Sequence, residues 1–263
     1  IKDSLKFASI DIGSNAMRLL FCRVIEDKDS PKFIKESLFR MPLRLGHDAF
    51  TDGVISEENS MKLIDTVGAF QLMIKAYDPI AFRSCATAAL RTALNGKKLV
   101  DEINAKVNVD LEIISGNEEA RIIMANHIED HLDPKKNYLY VDVGGGSTEI
   151  SFISNRQKIS SKSFPIGSVR LLENQVTEND WVDMEKWINK NMSKHKGNFK
   201  AIGSGGNINK IFSMSQLKRK SEIDISTIQS VLDIIEPLSI QNRITQLGLR
   251  PDRADVILHA GKI

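Results

Sequence analysis

The sequence has only two cysteines among its 263 residues, Cys22 and Cys85. Two isolated cysteines give neither a disulfide framework nor the spacing of a zinc site, so we expect a reducing, cytoplasmic environment. The sequence also lacks an apolar run long enough to span a bilayer. Its formal net charge of +2 argues against binding nucleic acid through bulk positive charge. These absences predict a soluble globular protein with neither a membrane nor a nucleic-acid partner.

What the sequence does contain is a pair of glycine turns, each following an apolar strand. The first strand reaches Asp11 and breaks into residues 13–15, and the second reaches Asp142 and breaks into residues 144–148. Glycine lets the backbone approach a ligand closely, and successive N–H groups in such a turn form an anion-binding nest. An acidic residue beside the nest would repel phosphate unless a cation lay between them. The pattern therefore predicts a phosphate chain held together with a divalent metal.

The expected elements repeat along the chain. Strands are expected at 5–12, 17–25 and 32–40. Two short strands follow at 79–84 and 109–114, with helices at 87–94 and 97–107 between them. The pattern restarts with strands at 137–143, 148–154 and 157–164, helices at about 168–174 and 178–194, and a strand at 198–202. Three antiparallel strands followed by crossover helices predict an α/β fold of two similar lobes, 1–123 and 124–263. We expect the ligand in a cleft between the repeats.

A third glycine turn, at residues 203–207, follows the strand at 198–202 and opens a helix. One such turn is usually only a tight connection, but three of them, two after an aspartate, favour a function. None matches the P-loop or dinucleotide-binding pattern. The first two turns instead lead into another strand, as in a phosphate-binding β-hairpin.

Three carboxylates are candidates for holding the metal: Asp11, Asp142 and Glu149. Each aspartate alone is as readily explained as a residue that stabilises its turn, and Glu149 as a surface carboxylate at a strand edge. As a pair in equivalent repeat positions, the aspartates suit Mg²⁺, which prefers oxygen ligands and often keeps its waters. Glu149, just after the second turn, could add a third oxygen.

A further acidic pair opens the helix that begins near the junction of the repeats. Ser115 and Glu118 have the spacing of a capping box, which engages Glu118 and leaves Glu119 on the first turn. The simplest role of Glu119 is a favourable interaction with the helix dipole. If the helix faces the cleft, Glu119 could instead orient and deprotonate a water molecule.

Arginines are the candidates for clamping phosphate, because the planar guanidinium matches its oxygens. Arg91 lies one turn into a predicted helix, where an ordinary surface position is the commoner explanation, and Arg18 lies just beyond the first glycine turn. Arg170 and Lys210 are weaker candidates for the same role.

Four segments occur in an order that resembles one enzyme family. They are Asp-Ile-Gly-Ser-Asn at 11–15, Ile-Ser-Gly-Asn-Glu-Glu-Ala-Arg at 114–121, Asp-Val-Gly-Gly-Gly-Ser-Thr-Glu at 142–149 and Gly-Ser-Gly-Gly at 203–206. Together they resemble the exopolyphosphatase / guanosine pentaphosphate phosphohydrolase family, which has two ribonuclease-H-like lobes of the actin-like ATPase superfamily. The resemblance implies Mg²⁺-dependent removal of a terminal phosphate from inorganic polyphosphate, guanosine pentaphosphate or both, and is compatible with a homodimer.

The resemblance also implies roles for individual residues. Glu119 matches the catalytic base, Asp142 and Glu149 match metal-associated carboxylates, and Arg91 matches an arginine that contacts phosphate. The loop residues that match phosphate-binding positions are Gly13, Ser14, Asn15, Gly145, Gly146, Ser147 and Thr148. The predicted phosphate site is completed by Gly144, Gly205, Gly206 and Arg18.

Other classes of function stay open from the sequence. A kinase or ATPase of the same superfamily would need an adenosine pocket, and a kinase would also need a base that serves a sugar. A sensor that binds a phosphate chain without hydrolysing it, or an actin-like assembly protein, would not need Glu119. The choice between polyphosphate and guanosine pentaphosphate also stays open.

Overall fold

A computed structural model of the chain describes residues 4–26, 31–124, 132–195, 198–218 and 222–263. The chain forms two compact units, Ile1–Ser115 and Gly116–Ile263. The elements of the first unit are β1 (Ser4–Ile12), β2 (Met17–Ile25), β3 (Lys32–Met41), α1 (Leu45–Thr51), α2 (Glu57–Tyr77), β4 (Ala81–Ala86), α3 (Ala88–Thr92), α4 (Gly96–Val107) and β5 (Leu111–Ile113). Those of the second are α5 (Gly116–Met124), β6 (Asn137–Val143), β7 (Thr148–Ser154), β8 (Gln157–Phe164), α6 (Ser168–Leu172), α7 (Glu178–Met192), β9 (Phe199–Ser204), α8 (Gly206–Met214), α9 (Ile225–Ile235), α10 (Ile240–Thr245), α11 (Pro251–Ala254) and α12 (Ile257–Lys262).

The first unit contains a five-stranded sheet in the order β3-β2-β1-β4-β5. Strands β1, β2 and β3 pair antiparallel, and β4 and β5 run parallel to β1. Helix α2 begins after Ser56, whose side chain accepts the N–H of Asn59 at 3.3 Å. At its other end Tyr77 stacks on Phe21 of β2, with ring centroids 4.2 Å apart, so α2 covers the face of the sheet that carries Phe21.

The second unit repeats this arrangement with a sheet in the order β8-β7-β6-β9. Strands β6, β7 and β8 pair antiparallel, and β9 runs parallel to β6 as β4 does to β1. On one face Met184 of α7 packs against Ile150 and Phe164. The repetition confirms the predicted α/β fold of two ribonuclease-H-like units, each built around an antiparallel hairpin followed by a parallel strand.

Helix α5 covers the other face of the second sheet. Ile123 of α5 packs against a cluster of Tyr138, Tyr140 and Ile153, and the helix lies along β7 and β8. These contacts group α5 with the second unit, so the expected lobe boundary after residue 123 falls within α5. The helix expected from 115 to about 131 is seen to Met124, and the remainder lies outside the described residues. The exact lobe boundary and the cleft stay predictions.

The helices at the end of the chain form a separate small core. Ile211 of α8, Leu232 of α9 and Ile257 of α12 are buried together in it. The buried guanidinium of Arg243 donates to the carbonyls of Ile235 at 3.1 Å and Ala254 at 2.9 Å, which joins α10 to the ends of α9 and α11. No helix in the described part of the chain combines the length and apolar character needed to cross a membrane.

Candidate phosphate-binding site

The two glycine turns have the same local geometry. In the first, the N–H of Gly13 donates to the carbonyl of Ala16 at 3.1 Å, and in the second the N–H of Gly144 donates to the carbonyl of Ser147 at 2.9 Å. Each turn joins the first two strands of its sheet, β1 to β2 and β6 to β7. The predicted pair of equivalent hairpins is therefore present in the fold.

In the second turn, three successive carbonyl groups are held by the start of α6. The bonds run from Ser168 N to Gly144 O at 3.0 Å, from Val169 N to Gly145 O at 2.8 Å, and from Arg170 Nε to Gly146 O at 2.8 Å. In a planar trans peptide the C=O of one residue and the N–H of the next point in opposite directions. The N–H groups of residues 145, 146 and 147 therefore point away from α6. Within the described residues, no backbone carbonyl accepts from these three groups.

The first turn is held in the same way by the start of α1. The N–H of Gly46 donates to the carbonyl of Ser14 at 2.7 Å, and the N–H of Arg44 donates to the carbonyl of Asn15 at 3.1 Å. The approach is close, since a Cβ at Gly46 would lie 2.9 Å from the Cβ of Ser14. A Cβ at Gly167, just before α6, would overlap the carbonyl of Gly145 in the second turn. Both turns thus depend on a glycine in a neighbouring segment.

Charged residues occupy matched positions across the two hairpins. Asp11 pairs with Arg18 across β1 and β2, and Asp142 pairs with Glu149 across β6 and β7. The guanidinium of Arg18 lies 2.6 Å from the carboxylate of Asp11, and both side chains are partly exposed. Two of the residues predicted for metal and phosphate thus neutralise each other within the first unit.

The carboxylate of Glu149 is buried, with only 4% of the residue exposed. Its Oε1 accepts hydrogen bonds from the hydroxyls of Ser147 and Ser163, each at 2.7 Å. Like charges directly opposite each other on a sheet are destabilising, and Asp142 is the register partner of Glu149. A cation would relieve that repulsion, and one or two carboxylates with waters are a common ligand set for Mg²⁺. The pair Asp142 and Glu149 therefore fits the predicted ion.

No cluster of three or more His, Cys, Asp or Glu side chains suitable for a metal occurs in the part of the chain that the structure describes. The pKa of the nearby Tyr140 phenol is raised, chiefly because the phenol is buried. A hydrogen bond with Ser204 lowers this pKa, and the negative charge of Asp142 raises it further.

The third glycine turn lies against the second. Gly205 has a φ of 106°, and a Cβ there would lie 3.1 Å from Oδ1 of Asp142. Gly206, which opens α8, lies close to a basic side chain, because a Cβ there would lie 2.8 Å from a terminal nitrogen of Arg253. The predicted residues Gly205 and Gly206 thus lie next to the carboxylate of Asp142 and the guanidinium of Arg253, respectively.

Glu119 lies in the first turn of α5, half-buried, beside Glu118. Glu118 makes a two-pronged ion pair with Arg121, with both N–O distances 2.7 Å. Residues four apart share one helix face, so Glu119 lies on the same face of α5 as Ile123. Ile123 contacts the sheet face that carries Tyr138 and Tyr140.

That sheet face is also the one that carries the acidic pair. Side chains two residues apart on a strand share a face, so Asp142 lies on the Tyr138 and Tyr140 side of β6, with Glu149 opposite it. The second unit therefore brings Glu119, Asp142 and Glu149 to one side of its sheet.

The remaining predicted residues have structural partners in the fold. One guanidinium nitrogen of Arg91 donates to the carbonyl of Ile114 at 2.7 Å, which ties α3 to the end of β5. Thr148 is fully buried, and its hydroxyl donates to the carbonyl of Ile166 at 2.6 Å. Lys210 lies 3.4 Å from the carbonyl of Leu247. Their roles toward a ligand stay predictions.

Sequence reasoning missed the residues that support the turns. Helix α1, Gly46 and Gly167 were not identified, nor was Arg253 beside Gly206. The only sequence signal for Gly167 is its place between a strand and Ser168, which is typical of a helix start. The closeness of Arg253 to Gly206 is set by the packing of the last helices and has no local signal.

Comparison with known proteins gives matches over most of the chain. The model of the Ppx/GppA phosphatase family matches residues 25–263. The "Bifunctional 3-dehydroquinate synthase/phosphatase" of Fusobacterium nucleatum is 31% identical over 288 residues, which is 98% of this chain and 42% of that protein. "Exopolyphosphatase 1" of Mycobacterium tuberculosis is 24% identical over 192 residues, which is 69% of this chain and 55% of that protein. The chain thus spans about half the length of these relatives.

Solved structures share the fold. An exopolyphosphatase from Cytophaga hutchinsonii matches with a TM-score of 0.78 at 22% identity, covering 97% of this chain and 88% of that one. The Aquifex aeolicus member of the Ppx/GppA family matches with a TM-score of 0.72 at 24% identity, covering 98% of this chain and 88% of that one.

Proposed function

The chain belongs to the Ppx/GppA phosphatase family, and from this premise we propose that it hydrolyses the terminal phosphate of inorganic polyphosphate, of guanosine pentaphosphate or of both. One observation carries the proposal. The helix face of α5 that bears Glu119 packs on the side of the second sheet where Asp142 and Glu149 lie, at the end where the glycine turn begins. The candidate base Glu119, the carboxylate pair proposed for a cation and the outward N–H groups of the turn thus all belong to the second unit.

Each of these parts has a chemical task in the proposed reaction. The N–H groups of residues 145–147 bind phosphate oxygens, and the turn at 13–15 does the same in the first unit. Glu119 orients the attacking water in line with the terminal phosphorus and accepts a proton from that water. Arg91 and Arg18 stabilise charge on the transferring group and its neighbour. Such reactions depend mostly on positioning and electrostatics.

Magnesium is part of the same proposal. Asp142 and Glu149 would hold the ion through one or both carboxylates and water. When bound, Mg²⁺ neutralises phosphate oxygens and the leaving group. Chelation is then expected to abolish turnover while leaving the fold intact.

A side-by-side assay of released inorganic phosphate tests the proposal. The substrates are long-chain polyphosphate, guanosine pentaphosphate and ATP, each with Mg²⁺ and with EDTA. The proposal expects Mg²⁺-dependent release from the first, the second or both, well above that from ATP. Preferential ATP hydrolysis would favour a kinase or ATPase, and tight binding without release would favour a sensor.

A further inference from the structure

The side chain of Arg170 has an unusual place among the supports of the second glycine turn. The carbonyls of Gly144 and Gly145 are held by backbone N–H groups of α6, whereas the carbonyl of Gly146 is held by Nε of Arg170, at 2.8 Å. Arg170 is half-buried, and its own N–H donates to Gly145 at 3.2 Å. The third peptide of the turn is therefore fixed by a side chain.

The first turn shows what that bond replaces. There the equivalent carbonyl, that of Asn15, accepts the backbone N–H of Arg44 at 3.1 Å. The same carbonyl is thus bound in both units, by the main chain in the first and by Arg170 in the second. Two different donors at one position indicate that the fold requires this carbonyl to be held.

Holding the carbonyl of Gly146 also orients the next N–H. Because the peptide between residues 146 and 147 is planar and trans, the N–H of Ser147 points opposite to the carbonyl that Arg170 binds. We propose that Arg170 is a positioning residue, which aims the Ser147 N–H at a bound phosphate without itself contacting that phosphate. This inference rests on the proposed phosphate-binding role of the turn.

Three variants separate the hydrogen bond from the charge. In glutamine, Nε2 is the same number of bonds from Cα as Nε of arginine, so Arg170→Gln keeps a donor at that position and removes the charge. Arg170→Lys keeps the charge and places a methylene there, and Arg170→Met removes both. A matched control is Arg156→Met in the β7–β8 turn, because Nε of Arg156 also donates to a carbonyl, that of Leu132, at 2.7 Å.

The first measurement needs no ligand. In protein labelled with ¹⁵N-serine and ¹⁵N-glycine, the amide resonance of Ser147 is expected to shift in the Lys and Met variants. It should stay near its wild-type position in Arg170→Gln and Arg156→Met. An unmoved Ser147 resonance in all the variants would overturn the inference, whatever the protein hydrolyses.

The second measurement is the affinity for imidodiphosphate, a non-hydrolysable analogue of a phosphoanhydride, by calorimetry with Mg²⁺. Loss of one aligned donor to a charged group is expected to raise Kd about tenfold in the Lys and Met variants and to leave Arg170→Gln within about twofold. Wild-type affinity in Arg170→Lys with loss in Arg170→Gln would mean direct charge contact and would overturn the inference. If the wild type binds no imidodiphosphate, the proposed function fails, while the amide resonances still decide the role of Arg170.

Discussion

The guanidinium of Arg18 lies 2.6 Å from the carboxylate of Asp11, directly across the first hairpin. The second hairpin carries Glu149 opposite Asp142 at the matched position. The two turns therefore share their backbone geometry and differ in the residue that faces the aspartate, which is an arginine in the first hairpin and a glutamate in the second. This difference is the reason to expect a cation at the second hairpin first.

Arg18→Gln separates stability from ligand binding. The side chains of the Arg18–Asp11 pair are 44% and 45% exposed, and such pairs contribute about 0–1 kcal/mol. The free energy of unfolding in urea should therefore change by less than about 1 kcal/mol. The KM for polyphosphate should rise about tenfold, because the charge-assisted contact of Arg18 with phosphate is lost. The control is Arg83→Gln, since the Arg83–Glu112 pair has the same 2.6 Å distance and similar exposure. An equal KM in both variants would remove Arg18 from the site.

Asp48 gives a pH-dependent contribution to stability. Its buried carboxylate accepts three hydrogen bonds: from the N–H of Ser56 at 2.9 Å, from the hydroxyl of Ser56 at 2.6 Å and from the side-chain amide of Asn59 at 2.8 Å. Burial raises the pKa of Asp48, but these hydrogen bonds outweigh it and the net pKa lies below the usual value. A lowered folded-state pKa stabilises above the unfolded pKa, and that stability is lost as pH falls through the folded pKa.

Asp48→Asn is therefore expected to lower the free energy of unfolding by about 2 kcal/mol at pH 7. The difference from wild type should shrink as the pH is taken below about 4, where the unfolded aspartate protonates. Urea titrations at pH 7 and at pH 3.5 measure this difference in the free energy of unfolding. The control is Asp65→Asn, because Asp65 is an exposed aspartate on α2. If the difference in the free energy of unfolding grows on acidification, this account of the hydrogen bonds to Asp48 is wrong.

Removing either of two fully buried hydroxyls on strands, those of Thr148 and Ser84, is expected to change the stability of the protein in opposite directions. Thr148 donates to the carbonyl of Ile166 at 2.6 Å, whereas Oγ of Ser84 has no hydrogen-bond partner among the described residues. Thr148→Val should cost about 1–2 kcal/mol because it leaves a buried carbonyl without its donor. Ser84→Ala should be neutral or stabilising because it removes an unsatisfied group. Thermal unfolding of both variants checks the pair, and a large loss for Ser84→Ala would mean that its hydroxyl has a partner.

Gly167→Ala tests the contact that shapes the second turn. The added methyl would overlap the carbonyl of Gly145, so the turn or α6 must shift, and we expect a loss of about 2 kcal/mol or more together with weaker phosphate binding. Gly68→Ala is the control, because a Cβ there would meet no atom within 4 Å apart from its own stretch of helix, and alanine favours a helix interior by about 1 kcal/mol. If both variants gain stability, the close approach of α6 to the turn is wrong.

The hairpins were predictable because their signals are local. A four-residue turn bounded by apolar strands fixes the register, and the spacing of Leu63, Val67, Phe70 and Ile74 defines the buried face of α2. The Arg18–Asp11 pairing also follows from that register, although the two residues had been given separate roles. The capping-box spacing likewise did not reveal that Glu118 pairs with Arg121.

The supports of the turns could not be predicted in this way. Helix α1 is only one or two turns long, and its N-cap residue, Arg44, has a positive φ of 56°, so it lacks the usual cap signal. The contacts of Gly46, Gly167 and Arg253 join segments distant in sequence and depend on packing. Sequence patterns thus identified which residues could bind phosphate, and the fold supplied what holds them in place.

The catalytic assignment of Glu119 is tested most directly by the turnover of Glu119→Gln, with Glu118→Gln as its neighbour and control. Both variants remove one carboxylate charge from the first turn of α5, so their helix-dipole effects match. Phosphate release from polyphosphate and from guanosine pentaphosphate is measured with Mg²⁺ at saturating substrate. We expect Glu119→Gln to lose roughly 10²–10⁴-fold in kcat, the usual scale for a general base, and Glu118→Gln to stay within about tenfold of wild type. Near-wild-type kcat in Glu119→Gln would contradict the assignment.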